Sequence, residues 1–133
     1  MAVSGIRYAI SRTTRRPFED VVALTREALA AEGFGILCEI DVQATMRAKL
    51  GVEREPYLIL GACNPPLAHE ALTAEPELGV LLPCNVAVYV DGGATHVAAV
   101  DPRPLFELVG KAEVEPVADE VRARLERVVA AVA

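Results

Sequence analysis

Apolar and polar residues change rhythm several times along this chain, and each change marks the end of one element and the start of the next. The segment IRYAISRTT, residues 6–14, alternates as a first strand does. Pro17 then stands at the opening of a helical pattern. Phe18, Val21, Val22, Thr25 and Leu29 fall on one stripe, Glu19 and Asp20 complement the positive helix end, and Gly33 terminates the run. In GILCEIDV, residues 35–42, the period drops from 3.6 to 2. That predicts a strand with Ile36, Cys38, Ile40 and Val42 on its core face and Leu37, Glu39 and Asp41 on the other. Asp41 is expected to cap a short helix, QATMRAKLG, whose Met46 and Leu50 face inward and whose Gly51 stops it. Glu39 is then a solvated carboxylate rather than half of a catalytic or metal-binding pair with Asp41.

The apolar run YLILGAC, residues 57–63, predicts a buried strand, and NPPLAHEALTAEP follows it directly as a third helix ended by Pro76. ELGVLLPCNVAVYV leads into a further strand; Pro83 cannot donate to a sheet ladder, so it belongs at that strand's start, an edge or a bulge. DGGA reads as a tight turn joining VAVYV to THVAAV. With Gly92 and Gly93 at its centre, Tyr89 lies opposite His96 and Val88 opposite Val97. A short helical piece, PLFELVG, precedes a long helix running from about Pro116 to the end. Val117, Val121, Leu125, Val128 and Val132 form its apolar stripe, and Glu120 and Arg124 make a supporting pair one turn apart.

The 133 residues, 53% of them hydrophobic, suit a single domain over 1–133, with a core α+β unit at about 6–101 and a C-terminal helical segment at about 104–133. A net charge of -6 argues against nucleic acid or an anionic membrane as partner, since either needs a concentrated positive surface. Arg12, Arg15 and Arg16 make one short basic cluster, read as a solvated face, and 5% aromatic content without Trp gives no platform for stacking bases. The opening MAVSGIRYAISR meets charge too early for a secretory signal, and no apolar run approaches the ~18 residues of a membrane span. The expectation is a soluble, cytoplasmic protein whose three cysteines, lacking CxxC spacing, are free thiols.

Candidate chemistry centres on two cysteine-asparagine steps, Cys63-Asn64 and Cys84-Asn85. Asn64 is a favoured N-cap and Pro65 a favoured first helical residue, which leaves Cys63 at a helix N-terminus where partial positive charge favours the thiolate. Pro65 and Pro66 remove two of the four free N–H groups there, so the activation is modest. Cys84 alternates with Val86, Val88 and Val90 and is expected in the core. Asn85, Tyr89 and His96 share the opposite face and offer hydrogen-bonding groups to a ligand. Cys63, Cys84, His69 and His96 make a zinc quartet by residue type, yet they lack the short paired intervals of zinc sites, so neither metal nor cofactor is expected. Three readings follow. One is a ligand- or partner-binding cleft where the two steps meet, using Asn64, His69, Cys84, Asn85, Tyr89 and His96. Another is an enzyme or redox sensor with Cys63 as nucleophile and His69 or His96 as base. The third is a motif that only shapes the fold.

Three stretches, GFGILCEIDV, LGACNPPLAHEAL and LLPCNVAVY, resemble the bacterial and archaeal family known as domain of unknown function 302, with the likeness running from about Tyr8 to Asp101 and on through the C-terminal helix. Its motif positions fall on Gly61, Cys63, Asn64, Pro65, Pro83, Cys84 and Asn85. Cys38 departs from the family pattern, which more often carries threonine there, and is read as a packing variant. The resemblance implies a two-layer α+β fold with a curved, mainly antiparallel sheet, helices on one face, and pairing as a homodimer. It brings no activity with it.

Overall fold

The computed structural model describes residues 7–132. Ile6 of the expected first strand, the segment before it and Ala133 lie outside the described residues. The strands are β1 (Ala9–Thr14), β2 (Gly35–Asp41), β3 (Tyr57–Cys63), β4 (Cys84–Asp91) and β5 (Ala94–Val100). The helices are α1 (Phe18–Ala31), α2 (Val42–Leu50), α3 (Pro65–Ala74), α4 (Pro102–Glu107) and α5 (Glu115–Val132), and a 3₁₀ segment, Pro76–Leu81, links α3 to β4.

The five strands form one open sheet in the order β1-β5-β4-β3-β2, with every neighbouring pair antiparallel. The architecture is α+β. Strand alternation sends Leu60, Ala62, Cys84, Val86, Val88, Val97 and Ala99 to the face covered by helices, where they join Val21 and Leu29 of α1 and the Val117, Val121, Leu125, Val128 and Val132 stripe of α5. The hairpin has the expected register, Tyr89 opposite His96 and Val88 opposite Val97, and Gly92 and Gly93 both take positive φ in its turn. The Glu120–Arg124 pair forms at 2.8 Å.

The expectations for β2 and for α2 need correction. Cys38 does not face the core. The register of β2 against β3 slips between Ile36 and Cys38, so Leu37 is the extra residue of a β-bulge and every later side chain changes face. Cys38 opposite Gly61 and Ile40 opposite Ile59 therefore point away from the helices, and Ile40 stays 47% exposed. The same slip turns Glu39 toward α1, where Arg26 forms an ion pair with it. Leu50 is also not inward. Asp41 caps α2 as expected, accepting from the Ala44 N–H at 2.9 Å, and Gly51 ends it with φ +66. But α2 lies beside β2 and β3 at the sheet's edge, away from the main core, and Leu50 is 68% exposed.

Among the described residues, no helix is long and apolar enough to cross a membrane.

Candidate functional site

Antiparallel pairing puts the end of β3 beside the start of β4, with Ala62 opposite Cys84 and Gly61 opposite Asn85. That register is what brings the two cysteine-asparagine steps together, although about twenty residues of chain separate them. At the end of β3 the chain turns at once into α3. Asn64 is the N-cap, its Oδ1 accepting from the Leu67 N–H at 3.4 Å, and Pro65 and Pro66 occupy the first helical positions.

The Asn64 side chain does a second job. Its Nδ2 donates to the Glu32 carbonyl at 3.3 Å, just beyond the end of α1, and Arg124 of α5 donates to the same oxygen at 2.8 Å. Arg127 grips the Glu32 carboxylate at 2.8 and 3.0 Å, and this hydrogen-bonded guanidinium holds the carboxyl below its ordinary range. The caps of α1 and α3 and the side of α5 are thereby tied at one corner.

Inside that corner lies a cavity of about 310 Å³. Ala62, Cys63 and Asn64 form one wall and Pro83 and Cys84 another; Leu67 and Ala71 of α3, Phe106 of α4, and Val117 and Val121 of α5 complete it, with the largely exposed Leu37 also lining it. Carbon makes up nearly all of the lining. Burial, reinforced by the proximity of Cys63, pushes the Cys84 thiol up to about 11, so it stays protonated at neutral pH.

The sequence-derived residues divide between two faces of the sheet. Cys63, Asn64 and Cys84 line the cavity. Asn85 and Tyr89 do not; they line a trough of about 680 Å³ on the sheet face turned away from the helices, together with Tyr57, Ile59, Ala87 and Ala98. His96 stands on that face too, in a ladder of stacked rings with Tyr57–Tyr89 centroids 4.9 Å apart and Tyr89–His96 centroids 5.0 Å apart. Burial raises the Tyr89 phenol above its ordinary value, with Tyr57 adding to the effect. Both His96 nitrogens are engaged. Asp91 offers a carbonyl, which can only accept, so Nε2 donates to it at 3.0 Å and Nδ1 accepts from the Thr13 hydroxyl at 2.9 Å. His69 is exposed on α3 and lines neither space. Among the described residues, no group of three or more His, Cys, Asp or Glu is placed to hold a metal ion.

The model of the family described as "Domain of unknown function DUF302" matches residues 10–132. The chain belongs to that family. A solved DUF302 structure, an uncharacterized conserved protein from Bacillus stearothermophilus, has a TM-score of 0.90 with 24% sequence identity, covering 96% of this chain and 100% of that one. At that identity the likeness shows the shared fold. No curated protein matches the chain.

Sequence reasoning missed the apolar half of the cavity wall. Phe106, Val117 and Val121 carry the same helical spacing as side chains that simply fill a core, and nothing in their pattern says that the space before them is open. Tyr57 was legible in principle: once the hairpin sets Tyr89 beside His96, the antiparallel register of β3 on β4 extends the ring ladder by one member.

Proposed function

We propose that this protein is a small-molecule binding module whose ligand occupies the cavity between β3, β4, α3 and α5. The observation that carries the reading is the cavity itself. At about 310 Å³ it reaches the lower end of the ~300–1,000 Å³ range of ligand pockets. It also lies where LGACNPP and LLPCN converge. A fold that leaves this space among core side chains forgoes dispersion contacts that larger residues at Ala62, Ala68 or Ala71 would recover.

Binding is favoured over thiol catalysis by what surrounds Cys63. A cysteine nucleophile is activated by an adjacent base or by a positive setting such as a helix start, and the Leu67 and Ala68 N–H groups at the start of α3 are already bonded to Asn64. Neither histidine lines the cavity, and both His96 nitrogens are committed elsewhere. The second thiol, Cys84, is held in its neutral form.

The reading includes a homodimer formed through the open sheet face. Ile40, Ile59, Ala87, Ala98, Tyr57 and Tyr89 present apolar surface there; an antiparallel sheet can leave one face in water, but a contiguous apolar patch on that face marks an interaction site. It also keeps the chain as one domain in the cytoplasm, the compartment in which its three free thiols persist.

Native mass spectrometry of protein purified from its own host tests the ligand. A retained small molecule whose release lowers the melting temperature supports the reading. Protein that carries nothing, and whose melting temperature no compound in a broad screen raises, refutes it.

A further inference from the structure

We infer that the ligand of this cavity is uncharged and poor in hydrogen-bonding groups: a small hydrocarbon-like or aromatic molecule rather than a carboxylate, a phosphate or an amine. The inference rests on the binding reading above and follows from an account of every polar side chain in the wall. Among the described residues none of the lining residues is Asp, Glu, Lys, Arg or His; the polar ones are Cys63, Asn64 and Cys84.

Asn64 is the one amide in the wall, and half of its hydrogen-bonding capacity is spent within the fold, which leaves at most one N–H and one lone pair for a ligand. Its oxygen takes the Leu67 N–H and its nitrogen serves the Glu32 carbonyl. Helix α3 begins at the cavity, and a helix start is ordinarily a place where free N–H groups attract an anion. Here that site is already used from within. Pro65 and Pro66 have no N–H to give, the Leu67 N–H goes to the Asn64 side chain, and the Ala68 N–H goes to the Asn64 carbonyl at 2.9 Å. A carboxylate or phosphate drawn past the open mouth into the cavity exchanges water for carbon, and an ammonium drawn in meets no carboxylate. Both are strongly disfavoured, because a charge leaving water without a partner loses its hydration uncompensated.

What remains is the chemistry of soft, polarisable contacts. Phe34 and Phe106 contribute rings and Cys63 and Cys84 contribute sulfur, a weak donor and weak acceptor that packs well against aromatic groups. Burial keeps the Cys84 thiol protonated, so it adds no charge at neutral pH.

Three probes of matched shape separate the possibilities: ethylbenzene, phenylacetate and phenethylamine, titrated into the full chain with isotope-labelled methyl groups. Ethylbenzene is expected to raise the melting temperature and to move the methyl resonances of Val117 and Val121, with phenylacetate and phenethylamine binding at least ten-fold more weakly. Phenylacetate or phenethylamine binding as tightly as ethylbenzene, with shifts at the same methyls, overturns the inference while leaving the binding reading in place. If none of the three moves those resonances and xenon under pressure also fails to do so, the cavity admits no ligand and both readings fall. Ala68→Phe, which projects a ring into the space, should abolish the ethylbenzene response; the methyl shifts of the unaltered protein locate the site even if that variant does not fold.

Discussion

Cys38 on β2 stands opposite Gly61 on β3, and a methyl group placed on residue 61 would lie 2.5 Å from the Cys38 sulfur and 3.0 Å from the Pro83 ring. The glycine lets three segments close on one point: β2 just after its bulge, β3 two residues before Cys63, and the approach to β4 one residue before Cys84. The two motifs therefore meet through backbone as well as across the cavity, and the bulge at Leu37 is what delivers Cys38 to the spot.

Gly61→Ala should be destabilising by about 1–3 kcal/mol, the usual cost of forcing extra volume into a packed site. The Cys38 sulfur has only one side-chain torsion with which to move, and the Pro83 ring has less freedom still. Removing the sulfur as well, in Gly61→Ala with Cys38→Ala, should recover part of the loss. Urea denaturation of the two variants checks this. A single variant as stable as the parent, or a double variant no better than the single, contradicts the arrangement.

Asn64 joins α3 to α1 through two different atoms, and substitutions can separate them. Asn64→Ala removes both bonds and should cost about 1–2 kcal/mol, the upper part of the range for a lost N-cap. Asn64→Asp keeps the capping oxygen, so a residue that only capped would tolerate it almost without loss. Here the second carboxylate oxygen faces the Glu32 carbonyl, acceptor against acceptor. The aspartate variant is therefore expected to be clearly destabilised as well, with its unfolding midpoint falling between those of the parent and the alanine variant. A midpoint equal to the parent's removes the role of the Asn64 nitrogen.

Much of this arrangement was legible in the residues, for physical reasons that differ element by element. Asn-Pro-Pro after an apolar run specifies a strand-to-helix junction through local chemistry alone, so α3 and its cap were readable. Gly92-Gly93 fixes the hairpin register, and with it the Tyr89–His96 pairing. The face of Cys38 was not readable. The alternation in GILCEIDV is regular, and the bulge that reverses it shows only in the pairing of β2 with β3. Nor does Leu50 differ by type from a core leucine; its exposure follows from where α2 is set down. The division of Cys84 and Asn85 between two faces was implicit in strand alternation, but the cavity on one side and the trough on the other depend on how the helices pack.

Cys84 provides a pH-dependent prediction with a definite sign. Folding raises its thiol from the ordinary 9.0 to about 11, so the neutral form is favoured in the native state relative to the unfolded one. The contribution is complete below pH 9 and diminishes as pH rises toward 11, because the unfolded chain releases the proton first. Two units correspond to roughly 2–3 kcal/mol. Comparing the parent with Cys84→Ala from pH 8 to 11 isolates this effect, since tyrosines and lysines titrate alike in both. The parent's advantage should shrink by about that amount across the window, and a constant gap contradicts the burial of the thiol. Alkylation gives an independent check: Cys38, which is exposed, should react well before Cys84.

The open sheet face supplies the last prediction. If two copies pair through it, Ile40 is the side chain to charge, because it is already 47% exposed and its replacement disturbs the monomer little, while it shares the face with Ile59, Ala87 and Ala98. Ile40→Asp puts a carboxylate on each of two apolar surfaces that must leave water together, and a desolvated charge without a partner is strongly opposed. Val80, 86% exposed in the 3₁₀ segment beyond α3, serves as the control, since it lies off the sheet. Sedimentation equilibrium should give twice the chain mass for the parent and for Val80→Asp, and the single-chain mass for Ile40→Asp, with the far-ultraviolet spectrum unchanged in all three. A parent that sediments as a single chain at high concentration ends the dimer proposal; a dimer that survives Ile40→Asp but yields to Val80→Asp transfers it to the surface depression that Val80 shares with Leu108, which follows α4 and is 80% exposed.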